Sequence, residues 1–199
     1  MEDSQISLST GARAPLTVIA PAGESFSILT SVLPWFLPGL AITIAIALAL
    51  AGRVARRLCT RRSIAFLLLM GVGVAISATI PPDSDGFIGE TSAFGRCDFG
   101  RTGFASLSHY LYLGETSLNV ILFVPLGLAV GLVDRSPATA WLLLAVLALP
   151  PSIEAIQSLA PMLGRGCQSG DVVDNLCGLG IGLALGVMLS VIRAHRTTR

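Results

Sequence analysis

The chain has 199 residues, 53% hydrophobic and 13% charged, with a mean hydropathy of +0.77. Soluble domains carry about 25% charged residues, so this balance excludes an ordinary soluble domain, and a formal net charge of +1 supplies no basic field for nucleic acid. The 13 basic residues are all arginines, which points to a GC-rich bacterial genome, and the 4 scattered cysteines are too few for a disulfide scaffold or a CxxC metal site.

Residues 1–30 are rich in Ser, Ala and Pro and are expected to form a poorly ordered extracytoplasmic segment. They open on the acidic Met1-Glu2-Asp3, without the basic start of a secretory signal. A helix needs about 20 mainly apolar residues to cross a bilayer. Five stretches qualify: 31–51, 63–80, 116–133, 138–160 and 172–192. The expected fold class is therefore all-α, a polytopic membrane bundle over 31–192 with a basic cytoplasmic tail at 193–199. A short basic loop follows the first helix, a long loop joins the second and third, and Asp134-Arg135-Ser136-Pro137 makes a tight turn before the fourth. Pro125 and the pair Pro150-Pro151 lie inside helices, where the missing amide donors predict bends.

The arginines predict the orientation. Arg53, Arg56, Arg57, Arg61, Arg62, Arg135, Arg193, Arg196 and Arg199 fall on one set of connecting segments; Arg13, Arg96, Arg101 and Arg165 fall on the other. With five spans the richer set is cytoplasmic, so the N-terminus is outside and the C-terminus inside. Trp35, Tyr110 and Tyr112 then lie near the outer interface, where amphipathic aromatics collect.

Three helix ends on that outer side carry polar groups. The third helix begins with Glu115 and reaches Asn119, the fourth ends with Glu154 and Gln157, and the fifth begins with Asp171, Asp174 and Asn175. A carboxylate deep in hydrocarbon costs about 2.5–3.5 kcal/mol, so Glu154 is expected to face the bundle interior with a partner or a ligand. Asn119 and Gln157 also suit interhelical hydrogen bonding, and Asp171 suits a helix N-cap. Arg165 is read as a solvated charge, as a partner for Glu154 or Asp171, or as a clamp on an anionic headgroup. A divalent cation held by Glu154, Asp171 and Asp174 is an open alternative to an anion.

Gly178, Gly182 and Gly186 form a ridge at spacing four, suited to close packing within the chain, with Gly127 and Gly131 as the opposing surface, or to a homo-oligomer face. Cys97 and Cys167 both fall outside and are the candidate disulfide pair; Cys59 and Cys177 are expected to stay unpaired. His109 and His195 are isolated. No Ser/His/Asp spacing, HExxH, P-loop or GxGxxG occurs, and no cofactor is expected.

Asn119-Val-Ile-Leu-Phe123-Val-Pro125-Leu-Gly127 resembles the first signature of VanZ-like bacterial membrane proteins, and Glu154-Ala-Ile-Gln157 resembles the second. Arg165 followed by Asp171-Val-Val-Asp174-Asn175-Leu-Cys-Gly178-Leu-Gly-Ile-Gly182 resembles the third. The likeness covers about residues 60–192, with the insertion Gly166-Cys167-Gln168-Ser169-Gly170 where relatives are often shorter. It implies a role at the cell envelope. The family name carries a link to resistance against the glycopeptide teicoplanin, and no established reaction comes with it. The leading expectation is an outer-leaflet polar site formed by Asn119, Glu154, Gln157, Arg165, Asp171, Asp174 and Asn175. Its ligand is a membrane lipid headgroup or a peptidoglycan-precursor-like molecule. The alternatives are an intramembrane enzyme on a lipid-linked substrate, with Glu154, Asp171 and Asp174 as candidate catalytic groups, and a partner protein without a ligand.

Overall fold

The computed structural model describes residues 35–82, 97–160, 163 and 165–197. The expected N-terminal segment 1–30 and most of the long loop lie outside these residues. In chain order the elements are α1 (Phe36–Arg57), α2 (Arg62–Thr79), β1 (Cys97–Asp98), α3 (Leu107–Leu111), α4 (Glu115–Leu132), α5 (Pro137–Leu159), β2 (Cys167–Gln168) and α6 (Ser169–Thr197). Among the described residues, α1, α2, α4, α5 and α6 are long and apolar enough to cross a membrane, and the chain is an all-α multi-pass membrane bundle.

The helix ends follow local chemistry. α1 runs on to Arg57, past its expected end at residue 51, and places Arg56 and Arg57 in its last turn against the negative end of the helix dipole. It stops where Cys59 takes a left-handed φ of 50° and the Thr60 amide donates to the Ala55 carbonyl at 2.9 Å, the six-to-one bond of a Schellman ending. Ser136 caps α5 by accepting from the Thr139 amide, with Pro137 at the first helical position. α4 and α5 each remain one helix across their prolines. α6 exceeds expectation at both ends: it starts at Ser169 and continues to Thr197, so the residues read as a basic tail from 193 are helical through Thr197.

The bundle is held by close backbone approach, because lipid tails offer helices no hydrophobic incentive to associate. α4 and α6 form its most intimate pair. A Cβ on Gly178 would lie 2.1 Å from the Val120 carbonyl oxygen, one on Gly182 2.1 Å from that of Val124, and one on Gly186 2.5 Å from that of Leu128. Gly127 and Gly131 make the reciprocal approach to Leu179 and Leu183. The glycine ridge is thus consumed inside the chain, and its backbone is covered by α4 where a second copy would have to sit. α1 packs on α2 through a stripe of Thr43, Ala47, Ala51 and Ala55, also at spacing four. The core between α2, α4, α5 and α6 is built from Leu68, Phe123, Leu126, Val146, Ile153 and Leu179.

α5 stands further from α4. An apolar cavity of about 240 Å³ lies between α4, α5 and α6, against Gly127, Val146, Leu147, Leu179, Gly180 and Leu183. A second cavity of about 500 Å³ shares Val130, Leu143 and Leu183 with it and lies toward Asp134, Arg135 and Ser190.

Candidate functional site

The end of the bundle where α4 and α6 begin and α5 finishes gathers the polar residues. β1 and β2 pair in parallel there, with Cys97 opposite Cys167 and Asp98 opposite Gln168. Cys97 and Cys167 form a disulfide with Cα atoms 4.5 Å apart, and Cys59 and Cys177 are free. The bridge staples the long loop to the segment entering α6. Ser169 reinforces it by donating from its hydroxyl to the carbonyls of Asp98 (3.2 Å) and Arg101 (2.7 Å).

This staple brings Arg101 to Asp174. The Asp174 side chain is fully buried, and the Arg101 guanidinium grips both of its oxygens, at 3.0 Å and 2.5 Å. The Tyr110 hydroxyl donates to the same carboxylate at 2.9 Å and accepts the Ala105 amide at 3.1 Å. The hydrogen bond to Asp174 raises the Arg101 pKa above its ordinary value against the opposing effect of burial, and burial, helped by Asp174, pushes the Tyr110 hydroxyl up. Both groups therefore stay protonated donors. The sequence reading placed Arg101 on the same side as the polar helix ends without a role and gave Tyr110 to the membrane interface. The structure makes both of them ligands of Asp174. Their recognisable signal was modest: an arginine four residues after Cys97, in the loop expected to be tied to the α6 entry.

Arg165 does not take that role. Its Nε donates to the Pro81 carbonyl at 3.3 Å, so it fastens the α6 entry to the end of α2. Asp171 is not an N-cap, because α6 begins two residues earlier and places it in the first turn. There its carboxylate lies within electrostatic reach of Glu115, Asp174 and Arg101, with Asn119 of α4 nearby.

Glu154 is buried at 6% exposure. One of its oxygens accepts the backbone amide of Gln168 at 2.8 Å, and the group lies within electrostatic reach of Asp171 and Glu115. Gln157, one turn away on the same face of α5, donates its amide to the Thr79 carbonyl at 2.9 Å. The Gln157 Oε1 and Asn175 Oδ1 atoms are buried without a hydrogen-bond partner. Six of the seven expected site residues thus lie together at this end of the bundle, and Arg165 serves as a strut beside them. Among the described residues no group of three His, Cys, Asp or Glu side chains is arranged to hold a metal ion, so the divalent-cation alternative finds no support.

Comparison with family models, curated proteins and solved structures gives no match to this chain.

Proposed function

We propose that the chain is a VanZ-like integral membrane protein of the bacterial cell envelope. It binds a polar envelope ligand, a lipid headgroup or a peptidoglycan-precursor-like molecule, at a site facing the outer leaflet. The resemblance of three ordered motifs supports the family reading, and their residues Asn119, Glu154, Gln157, Asp171, Asp174 and Asn175 converge at one end of the bundle. The arginine distribution supports the orientation: Arg53, Arg56, Arg57, Arg61, Arg62 and Arg135 cluster at the opposite end.

The observation that carries the proposal is Glu154. A carboxylate buried in a membrane helix is costly and is retained where it meets a partner or a ligand. Glu154 accepts one backbone amide, and the Gln157 and Asn175 oxygens, on the same helix face and on the neighbouring helix, are buried without a partner. Helices joined only by polar glue satisfy both ends of each bond. The unsatisfied acceptors favour a ligand over the purely structural reading.

Glu154→Gln and Asp171→Asn keep shape and hydrogen-bonding capacity while removing charge. Both variants are expected to fold, judged by yield, monodispersity and retention of the Cys97–Cys167 disulfide. Both are also expected to lose the envelope molecules that copurify with the native protein, read by mass spectrometry. Teicoplanin susceptibility of the same strains tests the link carried by the family name. Unchanged copurifying molecules in both folded variants would sink the proposal.

A further inference from the structure

Each of the three helices meeting at the polar end contributes a carboxylate and a carboxamide on one face. On α4 these are Glu115 and Asn119, on α5 Glu154 and Gln157, and on α6 Asp171 and Asn175, at helical spacings of four, three and four. Exposure falls from Glu115, which is open, through Asn119 and Asp171, which are half-buried, to Glu154, Gln157 and Asn175, which are buried. The six side chains thus grade from the open end of the bundle into its interior.

Several donors at this end of the bundle serve protein acceptors. Arg101 and Tyr110 serve Asp174, the Gln168 amide serves Glu154, the Gln157 amide serves Thr79, and the Arg165 Nε serves Pro81. Among the described residues, the buried side-chain atoms left without a partner are both acceptors: Gln157 Oε1 and Asn175 Oδ1, at residues 6% and 1% exposed. The charge is one-sided as well. Arg101 pairs with Asp174, and Glu154, Asp171 and Glu115 lie within electrostatic reach of one another, with Arg101 also acting on Asp171. A phosphate or carboxylate would meet acceptors and like charge. The carboxylates are also not grouped for a metal ion.

We propose that this polar end of the bundle receives a primary ammonium group, whose N–H donors satisfy the Gln157 and Asn175 oxygens while its charge is balanced by Glu154 and Asp171. An alkylammonium has three donors, no acceptor and a compact charge, which is the complement of what the site leaves open. This rests on the polar-site reading above and narrows its ligand to the amine-bearing class, either an aminated lipid headgroup or a soluble or peptide-borne amine.

The test uses the full-length protein in nanodiscs at constant ionic strength, with ethylammonium and tetramethylammonium chloride as probes and thermal unfolding as readout. In phosphatidylcholine discs, ethylammonium is expected to raise the Tm in a saturable manner and tetramethylammonium, which lacks N–H donors, to leave it unchanged. Glu154→Gln is expected to weaken the ethylammonium response about tenfold to a hundredfold, as loss of a charge-assisted bond does. In phosphatidylethanolamine discs, loss of the ethylammonium response identifies the lipid headgroup as the source, and an undiminished response identifies a non-lipid amine. The proposal is overturned by no ethylammonium response in phosphatidylcholine discs, or by an equal response to tetramethylammonium, both measurable on the native protein alone. If phosphatidylglycerol discs stabilise the native protein and not Glu154→Gln while ethylammonium does nothing, the polar-site reading stands and the ammonium class falls.

Discussion

Asp174 shows how a charge is kept inside this bundle. It is fully enclosed, and its cost is met by a two-pronged guanidinium and a phenol. Removing one partner of a buried pair is worse than never having had the pair, because the survivor keeps its desolvation penalty. Arg101→Met is expected to destabilise the protein by about 2–4 kcal/mol, below the full cost of a broken buried pair because the Arg101 side chain is one-third exposed. Tyr110→Phe removes one hydrogen bond and is expected to cost about 1–2 kcal/mol, the bond being to a charged acceptor. Reversible unfolding in mixed micelles measures both. Equal, negligible losses in the two variants would mean that Asp174 does not depend on these donors. Arg101→Lys should recover part of the loss, since a point charge cannot reproduce the bidentate grip.

At the level of elements, the α4–α6 pair is the structural axis of the site, since it carries Glu115, Asn119, Asp171, Asp174 and Asn175 on two helices whose backbones touch. The contact depends on side chains that are absent. Gly182→Ala would drive a Cβ to 2.1 Å from the Val124 carbonyl oxygen, with backbone atoms of Leu128 and Gly127 beside it. The helices must part, and a loss of about 1–3 kcal/mol or more is expected, with α4 moved away from the start of α6. Gly180→Ala is the control: nothing lies within 4 Å of its Cβ position, and the exchange is expected to stabilise by about 0.5–1 kcal/mol through helix propensity. Opposite signs for two glycines separated by one residue would be read from the same unfolding curves. A loss of equal size at both positions would contradict the packing described here.

At the scale of the whole molecule, five spans put the two ends of the bundle on opposite faces of the membrane. One end is rich in arginine, and the other holds the disulfide, the two-residue strands and the carboxylates. Single reporter cysteines at Ser84 and Thr197, introduced with Cys59 and Cys177 replaced, test the orientation with an impermeant thiol reagent on intact cells. Labelling is expected at Ser84 and absent at Thr197 until the cells are opened. Labelling of Thr197 in intact cells would place the carboxylate end inside and remove the outer-leaflet ligand from consideration.

The number and order of the spanning helices were legible from hydropathy, because a bilayer demands long apolar stretches and the five here are separated by charged or proline-bearing segments. So was the shared membrane level of Glu154, Asp171 and Asp174, since alternating spans return distant motifs to the same face. Glycines at spacing four announced close packing, but spacing is the same for an internal neighbour and for a second copy, and the positions of the α4 carbonyls settled it. Pairing of charges was the least legible layer. Arg165 was the nearer arginine to Asp171 and Asp174 in sequence, yet its guanidinium is turned to Pro81. Arg101, 73 residues from Asp174, reaches that carboxylate because Cys97 is bonded to Cys167 and the Ser169 hydroxyl holds the Arg101 carbonyl. A one-dimensional pattern determines which residues are polar and at what depth they lie. Which donor reaches which acceptor, and therefore which acceptors are left for a ligand, depends on cross-links and loop paths that exist only once the chain has folded.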